Sequence, residues 1–290
     1  MKLVTFASNG RARVGALRSS QQADEVVDLH LADPRLPADM IAFLKAGKRG
    51  LALVQEVVAK APAHAIFPRA QIVLKAPIRR PGKIVCIGQN YLEHARESNA
   101  ARPPFPIIFA KYANSVIGPG DPIVIPTAVQ KPDYEAELAV VIGRRARNVS
   151  EADALDYVGG YTALNDVSAR DWQSRTGQWT IGKTPDTFCP MGPVLVTADE
   201  IPDPQTLHVR TVIGDEVLQS GYTGDMIFTV AYLIADMTRV MTLEPGDVIA
   251  TGTPSGIGAA RTPPRWLAPG DTVRVEVERV GVLENPVVAE

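Results

Sequence analysis

Apolar residues recur in short runs separated by proline and glycine along most of the chain, a pattern that predicts strands. From Lys83 onward these runs are KIVCIG, PIIFAK, DPIVIP, ELAVVIG, GPVLVT, LHVRTVIG, DVIATG and TVRVEVERVGVL. Helical periodicity is rarer there and is found chiefly over residues 150–158 and 228–242. The runs do not alternate regularly with helices, which argues against a Rossmann or TIM arrangement. We predict a mixed α+β fold that is mainly β and rolled on itself.

The first 70 residues have a pattern of their own. KLVTFA and RVGALR predict two short strands, and residues 38–60 have helical periodicity interrupted by Gly47 and Gly50. The proline-containing stretch PRAQIVLKAPIRRPGK follows, and we interpret it as a linker. The sequence therefore predicts a small N-terminal domain over residues 1–70 and a larger domain over residues 76–290.

Composition and charge indicate a soluble protein without a nucleic-acid or membrane partner. Lys and Arg number 30 and Asp and Glu 32, a net charge of −2, and no apolar stretch approaches the ~18 residues of a membrane span. The amino terminus becomes polar after a few positions, which is unlike a signal peptide, so we expect a cytoplasmic protein. Cys86 and Cys189 lack metal or redox spacing and are expected to be small buried apolar residues.

The stretch PDYEAELAVVIG combines the pattern of a strand covered on both faces with two carboxylates. Glu135 and Glu137 are two residues apart and would lie on the same face, where burying an unpaired carboxylate is costly. With Asp166 they would form a site of three carboxylates for Mg²⁺ or Mn²⁺, which prefer oxygen ligands. Alternatively, the glutamates lie on a solvated strand edge and pair with Lys131 or Arg144.

The stretch QNYLEHARE, which follows a predicted strand, has the pattern of a helix start. Asn90 is placed to cap this helix, with Glu93 at the third position after it. His94 and Glu97 are three residues apart and hence on one helical face. That spacing suits a histidine oriented by a carboxylate, the arrangement of a general base that activates water. The alternative is a surface histidine in an ordinary helical ion pair.

Three further segments contain candidate binding groups. Lys183 follows a glycine and either faces an anionic substrate or is solvated. In ATGTPSGIG, Thr251, Gly252 and Thr253 follow a strand, and their small side chains and free backbone N–H groups suit carboxylate or phosphate binding, although a plain turn fits equally. ARDWQSRTGQWTIGKT has the composition of a mobile flap or of a static surface loop.

Taken together, these stretches resemble the fumarylacetoacetate hydrolase superfamily. The matching motifs, in family order, are GQNYLEHARE, FAKYANS, DYEAELAVVIG, NDVSARDWQ, GKTPDTFCPMGP and PGDVIATGTPSGIG. The resemblance covers roughly residues 76 to 290. It is strongest to the two-domain members, which include fumarylacetoacetate hydrolase domain-containing proteins and bacterial acylpyruvate hydrolases.

The resemblance implies a β-roll catalytic domain, a homodimer, and Mg²⁺ or Mn²⁺ held by Glu135, Glu137 and Asp166. It also implies that His94 and Glu97 form the dyad that activates water, on a segment that orders over the substrate. Further groups implied to contact the substrate are Lys183, which would polarise it, Thr253, which would bind its carboxylate end, and Tyr91, Lys111 and Ser115.

The implied reaction is hydrolysis of a C–C bond in an acylpyruvate-like substrate, a small 2-oxo acid. Water deprotonated by His94 would attack the distal carbonyl, and the enolate of a 2-oxo acid would leave. The same groups suit oxaloacetate decarboxylation, keto–enol or double-bond isomerisation, and hydration of dienoates in aromatic catabolism. A non-catalytic, metal-stabilised binding protein is a third alternative, and the presence of His94, Glu97 and Lys183 argues against it.

Overall fold

Strands joined by short connections make up most of the molecule. The computed structural model describes residues 1–8, 10–19 and 24–290. The strands are β1 (Lys2–Ser8), β2 (Arg11–Ser19), β3 (Asp24–Asp28), β4 (Ile66–Pro68), β5 (Val73–Lys75), β6 (Ile84–Gly88), β7 (Ile107–Lys111), β8 (Val116–Ile117), β9 (Ile123–Ile125), β10 (Pro132–Asp133), β11 (Ala136–Ile142), β12 (Val158–Asn165), β13 (Ser168–Ala169), β14 (Cys189–Thr197), β15 (His208–Ile213), β16 (Glu216–Tyr222), β17 (Val248–Ala250), β18 (Thr272–Val277) and β19 (Gly281–Ala289). The α-helices are α1 (Leu29–Ala32), α2 (Met40–Lys45), α3 (Gly47–Ala59), α4 (Leu92–Glu97), α5 (Arg170–Gln173), α6 (Thr180–Lys183) and α7 (Val230–Thr238). The predicted mixed, mainly β class is confirmed.

The largest sheet has twelve strands. Its main path runs β4, β3, β2, β1, β14, β12, β11, β17, β6, β7, while β5 pairs with β1 and β8 with β14. A five-stranded sheet runs β16, β15, β18, β19, β9, and β10 pairs with β13. On β11, Leu138 and Val140 pack into one apolar cluster, and Ala139 and Val141 pack into another on the opposite face. The strand is therefore covered on both faces, as its continuous apolar run predicts.

The residues before position 70 extend this same sheet. β1 pairs with β14, with Leu3 opposite Leu195, and Phe43 of α2 joins the apolar cluster that contains both. The linker predicted over residues 68–83 is only partly correct, because Val73–Lys75 within it form β5, which pairs with β1. The division of the chain into two domains near residue 70 stays a prediction.

The helical predictions had different outcomes. α7 forms within residues 228–242, and α2 and α3 form within residues 38–60, divided near Gly47, whose φ is +59°. Residues 150–158 contain only a short 3-10 turn, Ala154–Tyr157, because strand β12 begins directly after it. The pattern did not predict β12, because the strand contains Gly160 and glycine is unusual in strands. Glycine is required at this position, since a side-chain Cβ would lie 2.3 Å from the carbonyl oxygen of Val196. Across the ranges that the structure describes, no helix combines the length and the apolar character required to cross a membrane.

Candidate active site

Three carboxylates meet where β11 begins and β12 ends. Glu137 is in β11 and Glu135 immediately precedes it, while Asp166 immediately follows β12. The two strands are antiparallel, with Ala136 opposite Asn165, so the start of one lies beside the end of the other. One oxygen of each carboxylate lies within 4.8 Å of the others, and all three side chains are buried. The predicted proximity of these three residues is therefore observed.

Two buried lysines compensate part of this negative charge. Lys183 Nζ donates to Glu135 Oε2 at 2.6 Å and to Asp166 Oδ2 at 2.8 Å. Lys111 Nζ donates to Asp166 Oδ1 at 2.7 Å. Burial lowers the pKa of Lys183, but the charges of Asp166 and Glu135 together outweigh burial and raise that pKa above its ordinary value. Lys183 is therefore a charged member of the cluster and not a solvated surface lysine.

Arg170, the first residue of α5, joins Glu135 to a fourth carboxylate. Its Nη2 donates to Glu135 Oε1 at 2.6 Å, and its Nε donates to Asp133 Oδ2 at 2.9 Å. Burial raises the pKa of Glu135, but the charges of Lys183 and Arg170 outweigh it, and the pKa lies below its ordinary value. Sequence reasoning overlooked Arg170 and Asp133, whose only signal was their position inside the quoted motifs.

Glu137 differs from its neighbours because no cationic side chain pairs with it among the described residues. It accepts a hydrogen bond from the backbone N–H of Gly252 at 2.8 Å. Burial, followed by the charges of Asp166 and Glu135, raises its pKa well above the ordinary value. A bound cation would offset the negative charges that raise this pKa, and carboxylate oxygens are the ligands that Mg²⁺ and Mn²⁺ prefer. The residues present therefore fit the expected divalent cation.

The loop after β17 uses its backbone N–H groups to hold carboxylates of the protein itself. Gly252, with φ +99°, approaches so closely that a Cβ there would lie 2.7 Å from Asn90 Cβ. The expectation that backbone N–H groups at Thr251, Gly252 and Thr253 bind a substrate anion is wrong for Gly252, whose N–H already has an acceptor. Two glycines further along the loop also donate to carboxylates of the protein. The donor and acceptor pairs are Gly252 with Glu137 at 2.8 Å, Gly256 with Glu97 at 2.8 Å, and Gly258 with Asp133 at 2.7 Å.

His94 and Glu97 form the hydrogen-bonded pair that their spacing predicts. His94 Nδ1 lies 2.7 Å from Glu97 Oε1, and Glu97 Oε2 accepts the backbone N–H of Gly256. An ionised carboxylate can only accept hydrogen bonds, so Nδ1 carries a proton and a neutral imidazole has its lone pair on Nε2. His94 is 6% exposed, which contradicts the alternative of a surface ion pair.

Asn90 does not cap helix α4, contrary to the prediction. The cap position is occupied by Tyr91, without a side-chain capping bond. The Asn90 amide donates to the carbonyl oxygens of Phe228 at 3.0 Å and Thr251 at 2.7 Å, and its Oδ1 accepts the N–H of Phe228 at 2.9 Å. These distant partners supply three hydrogen bonds to the fully buried Asn90 amide, whereas a capping bond would use only its oxygen and leave the buried NH₂ group without an acceptor. Asn90 thus ties the dyad segment to the loop after β17.

His94 of the dyad and two of the three carboxylates, Glu135 and Glu137, line one cavity of about 110 Å³. Helices α5 and α6 and the turn between them form one wall, which includes Trp179. The stretch ARDWQSRTGQWTIGKT, expected to be a mobile flap or a static surface loop, is thus partly helical, and its mobility stays a prediction. The polar residues that line the cavity are Gln89, His94, Ser98, Glu135, Glu137, Arg170, Gln173, Lys183 and Thr253.

Of the other implied substrate contacts, only Thr253 reaches this cavity. Its hydroxyl donates to the carbonyl oxygen of Ala136 at 2.9 Å, so its proton is already used within the protein. Tyr91, Lys111 and Ser115 are buried and do not line the cavity. Their positions do not support direct contact with substrate, and Lys111 instead holds Asp166.

Residues 83–288 match the family described as fumarylacetoacetate (FAA) hydrolase C-terminal, and the chain belongs to this family, as its motifs predicted. It is 46% identical over 290 residues to oxaloacetate tautomerase fahd2, mitochondrial, of Xenopus laevis, with 99% of this chain and 90% of the relative covered.

Solved structures of the family have the same fold. The fumarylacetoacetate hydrolase from psychrophilic Exiguobacterium antarcticum is 36% identical with a TM-score of 0.86, covering 100% of both chains. Maleylpyruvate hydrolase from Sphingobium sp. SYK-6, in complex with manganese (II) ion and pyruvate, is 32% identical with a TM-score of 0.81, covering 100% of this chain and 99% of the other. The expectation of a cytoplasmic protein is wrong in view of the Xenopus relative, whose name places it in mitochondria.

Proposed function

We propose that this chain catalyses the keto–enol tautomerisation of oxaloacetate. The observation that carries the proposal is that His94, which is hydrogen-bonded to Glu97, lines the same small cavity as Glu135 and Glu137 of the carboxylate cluster. The relative that is 46% identical over 99% of the chain is named an oxaloacetate tautomerase, which supports this substrate. Isomerisation was an alternative in the sequence analysis, and it fits the relatives better than C–C hydrolysis, which family membership supports only in general terms.

The reaction needs one proton to leave carbon C3 and one proton to reach the 2-oxo oxygen. His94 Nε2 accepts the C3 proton while the C–H electron pair forms the C2–C3 double bond, and Glu97 stabilises the resulting imidazolium. Lys183 has three N–H groups and uses two of them on Glu135 and Asp166, which leaves one whose proton is transferred to the substrate oxygen. Proton exchange with water then removes the proton from His94 and restores the one lost by Lys183, so that the enzyme is unchanged. Glu135, Glu137 and Asp166 would hold a divalent cation, which would supply Lewis-acid polarisation of the 2-oxo group.

The size and charge of the site agree with a small dianion. The cavity of about 110 Å³ is well below the roughly 300–1,000 Å³ of sites for larger ligands. The carboxylates of the cluster bring three negative charges and its two lysines bring two positive charges. With a divalent cation the balance becomes positive by one charge, and this favours an anionic substrate.

The test measures how fast the ultraviolet absorbance of enol oxaloacetate decays when the protein is added in the presence of Mg²⁺ or Mn²⁺. Release of pyruvate and of CO₂ is measured separately. His94→Ala should lower the enzymatic rate by roughly 10²–10⁴, the usual contribution of a positioned base, while cation affinity stays intact. Tautomerisation at the uncatalysed rate with the wild-type protein would exclude this function. Faster CO₂ release than enol decay would instead indicate a decarboxylase.

Acylpyruvate hydrolysis is the second candidate, and the similarity to maleylpyruvate hydrolase with manganese and pyruvate favours it. In this reaction His94 Nε2 would deprotonate water that attacks the distal carbonyl, so the same variant would abolish both activities. Comparison of kcat/KM for acylpyruvate cleavage and oxaloacetate tautomerisation decides between them. A value higher by about tenfold or more for acylpyruvate cleavage would make the chain a hydrolase.

We also propose that the chain forms a homodimer through the outer edge of β7. This strand ends the twelve-stranded path, and an edge strand with apolar side chains favours pairing with another chain. Four large apolar side chains are exposed around it, namely Phe105 at 69%, Ile108 at 47%, Tyr112 at 57% and Ile181 at 52%. Sedimentation should give a dimer for the wild type and a monomer for Ile108→Lys. Val240→Lys, a control at an exposed apolar residue after α7, should stay dimeric.

A further inference from the structure

A second cavity of about 1030 Å³ lies at the opposite end of β11 and β12 from the carboxylates. Gly143, which follows β11, and Val158, which begins β12, both line it. Glu135 precedes β11 and Asp166 follows β12, so the length of a seven-residue strand, roughly 20 Å, separates the two cavities. Among the described residues, none lines both cavities. This second cavity is therefore independent of the proposed active site.

The interior of the second cavity is largely apolar. Helices α2 and α3 cover one side, and β1 and the start of β12 form the other. Ala52, on the exposed face of α3, stands beside the opening. The apolar residues that line the interior include Leu3, Phe43, Leu44, Leu51 and Val158. An aliphatic group placed there would leave water for an apolar environment, which is favourable.

The rim of this cavity is basic, although the chain as a whole has a net charge of −2. Lys45 and Lys48 form no ion pair within the part of the chain that the structure describes. Arg145 pairs with Glu244 at 3.1 Å, and Arg144 lies over the ring of Tyr157. The charged residues that line the cavity are Lys45, Lys48, Arg144 and Arg145, against Asp156 and Asp199. The cavity thus has a positively charged rim around an apolar interior.

We propose that this cavity binds an amphipathic anion, a long-chain carboxylate. Its aliphatic tail occupies the apolar interior, and its headgroup meets the two unpaired ammonium groups of Lys45 and Lys48. Each buried methylene group strengthens such binding by about fourfold, and a charge-assisted contact fixes the headgroup. The ligand is bound and not converted, because the groups proposed for proton transfer lie at the other end of β11.

Calorimetry with decanoate, hexanoate and decan-1-ol tests the chemical class of the ligand. Decanoate should bind once per chain, and hexanoate, shorter by four methylene groups, should bind about 10²-fold more weakly. Decan-1-ol, which has the same tail without the charge, should bind about fivefold more weakly than decanoate. No decanoate binding, or equal affinity for decan-1-ol, would overturn the proposal.

Matched pairs of variants on α3 test whether decanoate binds in this cavity. Ala52→Trp fills the opening of the cavity and should weaken decanoate binding by about tenfold. Lys48→Glu reverses a charge at the rim and should weaken decanoate binding by about fivefold. Ala59→Trp and Arg49→Glu make the same changes at exposed positions of α3 that do not line the cavity, and they should bind decanoate like the wild type. Tautomerase activity should be unchanged in all four variants.

An equal loss of decanoate binding in the controls would refute this location. Sedimentation of Ala52→Trp gives an independent outcome. If this variant alone loses its self-association, a second copy of the chain covers the cavity, and the ligand proposal is wrong.

Discussion

Replacing Glu97 with glutamine tests how the dyad sets the protonation of His94. Glu97 accepts two hydrogen bonds, from His94 Nδ1 at 2.7 Å and from the Gly256 N–H at 2.8 Å. A carboxylate offers an acceptor oxygen to each donor, whereas an amide has one acceptor oxygen and one donor NH₂. Whichever way the amide turns in Glu97→Gln, one of the two contacts loses its acceptor.

The two orientations of the amide have different costs. If the NH₂ group faces His94, Nδ1 must accept and the proton moves to Nε2, so the base is lost and kcat falls by roughly 10²–10⁴. If it faces Gly256, a largely buried N–H is unsatisfied, which costs about 1–3 kcal/mol of unfolding free energy. We expect the first orientation to dominate, with little loss of stability, because the imidazole can move its proton from Nδ1 to Nε2 whereas the Gly256 N–H can only donate.

The assay measures kcat for enol oxaloacetate, the free energy of unfolding in urea, and cation affinity by calorimetry. Glu93→Gln is the matched control, because Glu93 is an exposed glutamate of the same helix and its one ion-pair partner among the described residues is Arg96. The control should keep kcat within about twofold. A Glu97→Gln protein with wild-type kcat and stability would show that Glu97 does not fix the tautomer. Loss of cation affinity would show that it acts on the carboxylate cluster instead.

Three further predictions concern other parts of the site and the core. Glu137→Gln should remove the rise in melting temperature caused by Mn²⁺, because a cation that binds only the folded chain stabilises it; an unchanged rise in thermal scans would contradict its role as a ligand. Asp133→Asn should cost about 1–3 kcal/mol in urea unfolding, because Gly258 and the neighbouring backbone lose ionised acceptors; unchanged stability would refute this. Burial raises the pKa of Cys86 and raises that of Cys189 to about 12. Both thiols should therefore resist a thiol reagent at pH 9 until the chain unfolds, and rapid native labelling would contradict their burial.

The strand content, the central buried strand and the local pairs Glu135 with Glu137 and His94 with Glu97 could be predicted from the chain alone. A continuous apolar run specifies a strand covered on both faces, and alternation places Glu135 and Glu137 on one face of it. The spacing of His94 and Glu97 within one helical turn is likewise local, and their hydrogen bond is observed. The location in the cell could not be predicted in this way, and the expectation was wrong.

The balance of charges in the site was decided only by the tertiary structure. Lys183 reaches a carboxylate 48 positions earlier in the chain, and the Gly256 N–H reaches Glu97 across 159 positions. Asn90 has a capping sequence but bonds to residues 138 and 161 positions away. Local patterns fix which face a side chain takes. The partners that satisfy a buried charge or amide come from whichever segments the sheet brings together, and only long-range packing specifies them.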